Sequence, residues 1–256
     1  MFRDHDGKSV QARVRPRRRR GRFVIVVSLL AVFCLFITDT GRALVAPAVV
    51  RLRLAAPSIF GDGEYAFLHE TADGRPITFN TCGPLRIVIN EALRPIDAVG
   101  LVEEAVEEVS KASGLPMEIV GRTDEAPGLG RPVEQARYGP GWAPILIAWT
   151  GPEVIPGLEG GVIGLGGPRS VINRSTGNPY YVSGQVALDS PDVKEMLAEG
   201  DEDEARSVIL HELAHVLGLG HVDSPFELMF ERNLGIARFG PGDLEGLARL
   251  GRAACD

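Results

Sequence analysis

The chain has 256 residues, 45% of them hydrophobic, and a formal net charge of −7, enough apolar material for one sizeable domain with a real core. No internal repeat at a period of about 20 to 50 residues is visible, which excludes a solenoid or propeller. The charge is uneven: residues 1–22 carry nine basic and two acidic side chains, so the rest of the chain carries −14.

That basic leader, 1–22, ends in "RPRRRRGR" and runs into "FVIVVSLLAVFCLFIT" at 23–38, sixteen residues without a charge. A basic flank ahead of an apolar run keeps the N-terminus in the cytoplasm and sends the downstream chain across the membrane. The run is shorter than the roughly 20 residues of a spanning helix and long for a signal core. Ala43, after "GR", offers a cleavage point, yet the length of the leader favours a retained anchor. The expected location is therefore extracytoplasmic, anchored by the N-terminal segment, or secreted if that segment is cut. Anionic lipid headgroups suit the arginines. Nucleic acid does not, because no aromatics interleave with them and the remaining chain is acidic.

Residues 39–63 lack sustained periodicity and read as a stalk, leaving 64–256 as the folded domain. "YAFLH" and "PITFN" flank "ETADGR", whose Asp73-Gly74 pair predicts a hairpin turn. "LRIVIN" at 85–90 predicts a strand. Val99, Val102, Ala105, Val106 and Val109 fall on one face of a helix from Asp97 that closes on Gly114. "MEIV" at 117–120 and "PILIAWT" at 144–150 predict two more strands, the second apolar throughout and so central. "GGVIGLGG" at 160–167 predicts an edge strand and "YYVSGQVALDS" an inner one, separated by the turn-rich "PRSVINRSTGNP". These glycines spell no phosphate loop: no Gly-Lys-Ser stands at the needed spacing, and a GxGxxG is not completed after Gly164.

Three of the five histidines then fall within "HELAHVLGLGH" at 211–221. Asp201 followed by Glu204 predicts a capping box at the start of that helix. Residues four apart share a helix face, so His211 and His215 project side by side. Glu212 leans over their rim. Gly218 ends the helix in a conformation open to glycine, which lets His221 swing back toward the other two. Three neutral imidazoles with one open position make a catalytic zinc site, whereas a structural site fills all four positions. Two histidines can share an ordinary helix by chance. The added glycine and third histidine, each at the right interval, make coincidence a poor account.

This stretch resembles the HExxHxxGxxH signature of the metzincin metallopeptidases, and Met229 in "SPFELMF" stands where their Met-turn is expected. The spacing is most similar to the matrixin branch, including bacterial matrixin-like proteases. "GPGDLEGLARLG" at 240–251 is similar to the matrixin C-terminal helix, and "GGVIGLGG" to the substrate-binding edge strand. The resemblance implies an α+β fold: a twisted, mostly parallel five-stranded sheet with an antiparallel edge strand, a backing helix, an active-site helix, a Met-turn and a C-terminal helix. It implies an endopeptidase that uses a zinc-activated water with Glu212 as general base, His211, His215 and His221 as ligands, and Met229 as an apolar floor. Gly161, Val162, Ile163, Gly164 and Leu165 would hold an extended peptide.

Two departures narrow these expectations. Phe230, Glu231, Arg232 and Asn233 stand where matrixins carry the Pro and Tyr that shape a substrate pocket, so pocket preference does not transfer. Only His5 and His69 remain outside the motif, so a single zinc is expected, with any calcium requirement open. The alternative from another class is a membrane-anchored, zinc-stabilised peptide-binding module without turnover. Intact Glu212 argues against it.

Cys34 lies in the apolar segment, leaving Cys82 and Cys255 for an oxidising compartment. The resemblance places Cys82 at the start of the domain, only three residues from the strand at Leu85. That leaves no room for a propeptide in which Cys82 would act as a latency switch, and a Cys82–Cys255 disulfide is expected.

Overall fold

The computed structural model describes residues 63–80, 83–231 and 235–253. The basic leader, the apolar segment 23–38, nearly all of the stalk, and Cys82 and Cys255 lie outside them. Among the described residues no helix is long and apolar enough to cross a membrane.

In chain order the elements are β1 (Ala66–Phe67), β2 (Leu85–Asn90), α1 (Leu101–Ser113), β3 (Met117–Arg122), β4 (Ile145–Thr150), β5 (Gly164–Ile172), β6 (Pro179–Asp189), α2 (Ser190–Glu199), α3 (Glu202–Leu217), β7 (Leu219–Gly220) and α4 (Pro241–Ala253). Five strands form one α+β sheet in the order β3-β2-β4-β6-β5. β2 is parallel to β3 and β4, and β4 to β6. β5 runs antiparallel to β6 and ends the sheet, as the sequence led one to expect.

Strand alternation decides what each face buries. Ile87, Ile89, Ile145, Ile147, Trp149, Val186 and Leu188 share one core with Val102, Val106 and Val109 of α1 and with Ile209, Leu213 and Val216 of α3. Val88, Leu146 and Ala148 point the other way and meet Tyr138. Every residue of β4 is buried, which is why its sequence shows no polar alternation.

The second face is covered by the long connection between β3 and β4, and a buried ion pair holds that connection down. Arg131, its side chain 1% exposed, pairs with Glu125 at 2.9 Å. Its guanidinium also donates to the Ser183 hydroxyl, the Gly184 carbonyl and the Pro144 carbonyl. Burial pushes the Glu125 carboxyl up, but hydrogen bonds from Arg131, Tyr138 and Gln135 outweigh it and hold the group below its ordinary value. Removing one partner of such a pair strands the other without solvent. Arg131→Met is therefore expected to cost about 3–5 kcal/mol of stability, read from urea denaturation. A loss under roughly 1 kcal/mol, the range of an exposed pair, would show that the network does not anchor the loop.

Several local expectations are corrected. The Asp73-Gly74 turn forms, with Gly74 at φ 77°, but its flanks meet only in a Glu70–Pro76 bridge. β1 instead pairs with β7 across the chain, as expected where an isolated two-stranded hairpin would be marginal by itself. α1 starts at Leu101, after Gly100 at φ 90°, so Val99 falls outside it and is 66% exposed. Its predicted stop at Gly114 holds. The edge strand is displaced: Gly160 and Gly161 are left-handed, at φ 81° and 87°, so Gly161, Val162 and Ile163 lead into β5. Pro168–Ile172, expected in the connection, continue the strand instead. Asp201 precedes α3 but its side chain makes no capping hydrogen bond. Helix α2 is an addition to the expected elements, and Asp189 caps it by accepting from the Asp192 N–H at 3.2 Å.

Candidate metal centre

Helix periodicity sets the first two histidines and a glycine turn sets the third. His211 and His215 lie one turn apart on α3, packed into the core by Leu210, Leu213, Ala214 and Leu217. Gly218 takes φ 117° and donates its N–H to the Ala214 and His215 carbonyls. The chain then reverses through β7, which is paired with β1, and delivers His221. Its Nε2 stands 3.1 Å from the Nε2 of His211 and 3.1 Å from that of His215. Among the described residues this is the group of three metal-ligating side chains whose ligand atoms converge, all within 4.8 Å.

The backbone decides which nitrogen faces inward. His211 Nδ1 lies 2.8 Å from the Leu228 carbonyl and His215 Nδ1 lies 2.7 Å from the Leu219 carbonyl. A carbonyl only accepts, so both Nδ1 atoms carry the proton and both Nε2 lone pairs point to the centre. Burial, and for His211 next the neighbouring His215 ring, hold His211 at about 3; burial, with the His221 ring, holds His215 at about 4. Both are thus neutral at neutral pH, the form that binds metal. His221 has one Nε2 and at most one proton on it, so the three inward atoms cannot satisfy one another by hydrogen bonding. A cation among them does. Tetrahedral Zn²⁺ with bonds of roughly 2.0–2.1 Å requires nitrogens about 3.3 Å apart, close to the spacing found, so the residues fit this ion.

Glu212 follows His211 and is 8% exposed. Burial pushes its carboxyl up to about 7, against a hydrogen bond from the Gly166 N–H that lowers it. The three histidines and Glu212 border a cleft of about 370 Å³, closed on one side by Gly161–Gly166 and on the other by Leu228, Phe230, Glu231 and Ile236. All five expected peptide-binding residues, Gly161 to Leu165, are therefore brought to the site, although only the last two belong to the strand.

Two buried carboxylates, Glu227, which also borders the cleft, and Asp243, both 0% exposed, escape the sequence reading. Asp243 accepts from the N–H groups of Leu228 at 2.6 Å, Met229 at 3.3 Å and Gly240 at 2.8 Å. Glu227 accepts from Gly242 at 3.0 Å and Asp243 at 3.3 Å. Each thus grips the other's segment, locking the chain at 227–229 onto the start of α4. Because the Leu228 carbonyl receives His211 Nδ1, Asp243 steadies the His211 ring through one peptide unit. Met229, 1% exposed, is fixed on both sides, its carbonyl accepting from the Val222 N–H at 3.1 Å. An acid in the first turn of α4 is visible in the sequence only as a complement to the helix dipole.

No family model matches the chain, and no curated protein matches it. Among solved structures it is similar to archaemetzincin from Methanopyrus kandleri, with 18% identity and a TM-score of 0.43, over 66% of this chain and 96% of that one. At that level of likeness, function rests on the geometry of the site itself.

Proposed function

We propose that this protein is a zinc-dependent endopeptidase of the metzincin type, nearest the matrixin branch. The observation that carries this reading is the convergence of three neutral imidazole Nε2 atoms beside buried Glu212, in a cleft bordered by β5, the edge strand of the sheet among the described residues. His211, His215 and His221 would hold the ion. When bound, Zn²⁺ supplies charge that polarises a carbonyl and lowers the pKa of water from 15.7 to about 7.

The chain's own residues do the rest. Glu212 takes a proton from the attacking water and passes it to the departing amine. The open edge of β5, with the residues from Gly161 that lead into it, hydrogen-bonds an extended peptide main chain. Met229 serves as the Met-turn, an apolar floor held by Asp243. Val208, Leu228, Phe230 and Ile236 offer apolar contacts to a substrate side chain. A peptide library incubated with zinc-loaded protein is expected to show internal cuts that a chelator abolishes. An uncut library, or cuts that survive chelation, would end this reading.

The basic leader and the uncharged run at 23–38 support an extracytoplasmic, membrane-anchored location. A disulfide between Cys82 and Cys255 belongs to the same proposal. Asn80 and Ala253, each two residues before one of the cysteines, border a common surface cavity. Peptide mapping without reductant is expected to recover the two cysteines joined; two free thiols in the exported protein would refute the pairing.

A further inference from the structure

Where β5 crosses α3, the strand carries glycine on the side that meets the helix. Side chains alternate along a strand, so Gly164 and Gly166 face the same way. A methyl group on Gly164 would stand 2.7 Å from Glu212 Cγ and 3.0 Å from Val208 Cγ1. One on Gly166 would overlap the Glu212 backbone carbonyl, whereas one on Gly167, facing the other way, would meet nothing within 4 Å. The Ile163 carbonyl accepts from the Asp189 N–H at 2.8 Å, toward β6. By the antiparallel alternation, the Gly164 and Gly166 amides then face the open edge. From that edge the Gly166 N–H acts on the Glu212 carboxylate, lowering its pKa against the effect of burial.

We propose that Gly164 and Gly166 are positioning residues for Glu212. The missing side chain at Gly164 leaves the slot in which the Glu212 methylenes lie, and the bare Gly166 lets the strand lie against the Glu212 backbone with its N–H toward the carboxylate. A glutamate has three side-chain torsions, and a general base must lie within hydrogen-bond reach of its proton before its basicity counts. The strand therefore orients the base, in addition to any role in binding a peptide. This inference rests on the peptidase reading for its kinetic consequence, but not for the position of the carboxylate.

The test is Gly164→Ala in the full chain. Zinc content is expected to match the parent, with kcat lower by at least roughly tenfold and KM within about twofold, the signature of a misplaced reacting group. A crystal structure of the variant should show the Glu212 carboxylate displaced from the Gly166 N–H. Unchanged kcat, or a carboxylate still on that N–H, would overturn the proposal.

A double-mutant cycle covers the case in which the variant folds poorly. Gly164→Ala should lower the Tm in the parent but far less in a Glu212→Ala background, where the obstructing Cγ is gone. Equal losses in the two backgrounds would overturn it. If the parent cuts no peptide, the peptidase reading fails, while the crystal structure and the cycle still decide whether Gly164 places Glu212.

Discussion

Glu212→Gln is expected to lower turnover by roughly 10² to 10⁴, the usual worth of general-base assistance, while leaving zinc bound. The substitution preserves length and shape in a side chain that is 8% exposed, and an amide oxygen can still accept from the Gly166 N–H. None of the three ligands is touched. Stability separates this effect from unfolding. In the metal-free chain burial raises the Glu212 carboxyl from 4.5 to about 7, so the folded state binds that proton more tightly than the unfolded one. Stability from this group is then full below 4.5 and declines as pH rises toward about 7. The Gln variant lacks that decline and should be no less stable than the parent at neutral pH. Equal turnover in the two proteins would rule out Glu212 as the base. If both bind zinc and neither cuts peptides, the binding-module reading replaces the enzyme.

His215→Ala is expected to abolish both metal retention and cleavage. The ring is 9% exposed, its Nδ1 is held 2.7 Å from the Leu219 carbonyl and its Nε2 lies 3.1 Å from that of His221. Truncation leaves two imidazoles and a carbonyl without its donor. Loss of an outer-shell partner alone costs about 10- to 100-fold in metal affinity, so loss of a ligand should exceed that range. His69→Ala provides the comparison, because His69 is bonded to the Tyr181 hydroxyl at 2.9 Å and does not line the cleft. It should keep its zinc by elemental analysis. A His215→Ala protein with full zinc content would show that the three histidines are not the metal site.

How much the sequence reveals depends on how local each feature is. His211, Glu212, His215, Gly218 and His221 fall within eleven positions, and helix pitch plus one glycine turn bring them near one another. The β1 pairing and the Leu228 carbonyl, which complete the placement, lie outside that stretch. β4 is legible because burial on both faces leaves an uninterrupted apolar run. The edge strand is legible but misplaced: its glycines serve two purposes, turns at Gly160 and Gly161 and clearance over α3 at Gly164 and Gly166, and composition does not separate them. The Asp243 and Glu227 clasp is hidden because its halves lie about four helical turns apart in sequence and meet only through tertiary packing. Arg131 and Glu125 likewise read as loop charges. Only the sheet surface formed by Ser183 and Gly184 reveals them as a buried anchor.

The most direct measurement is a zinc titration of metal-stripped protein, followed by cleavage of a fluorogenic peptide chosen from the library. Activity should be absent at the start, rise in proportion to added zinc, and level off at one equivalent per chain. The Glu212→Gln protein should bind the same equivalent and stay inactive. Cleavage that is present before zinc is added, or that never appears at saturation, would contradict the account.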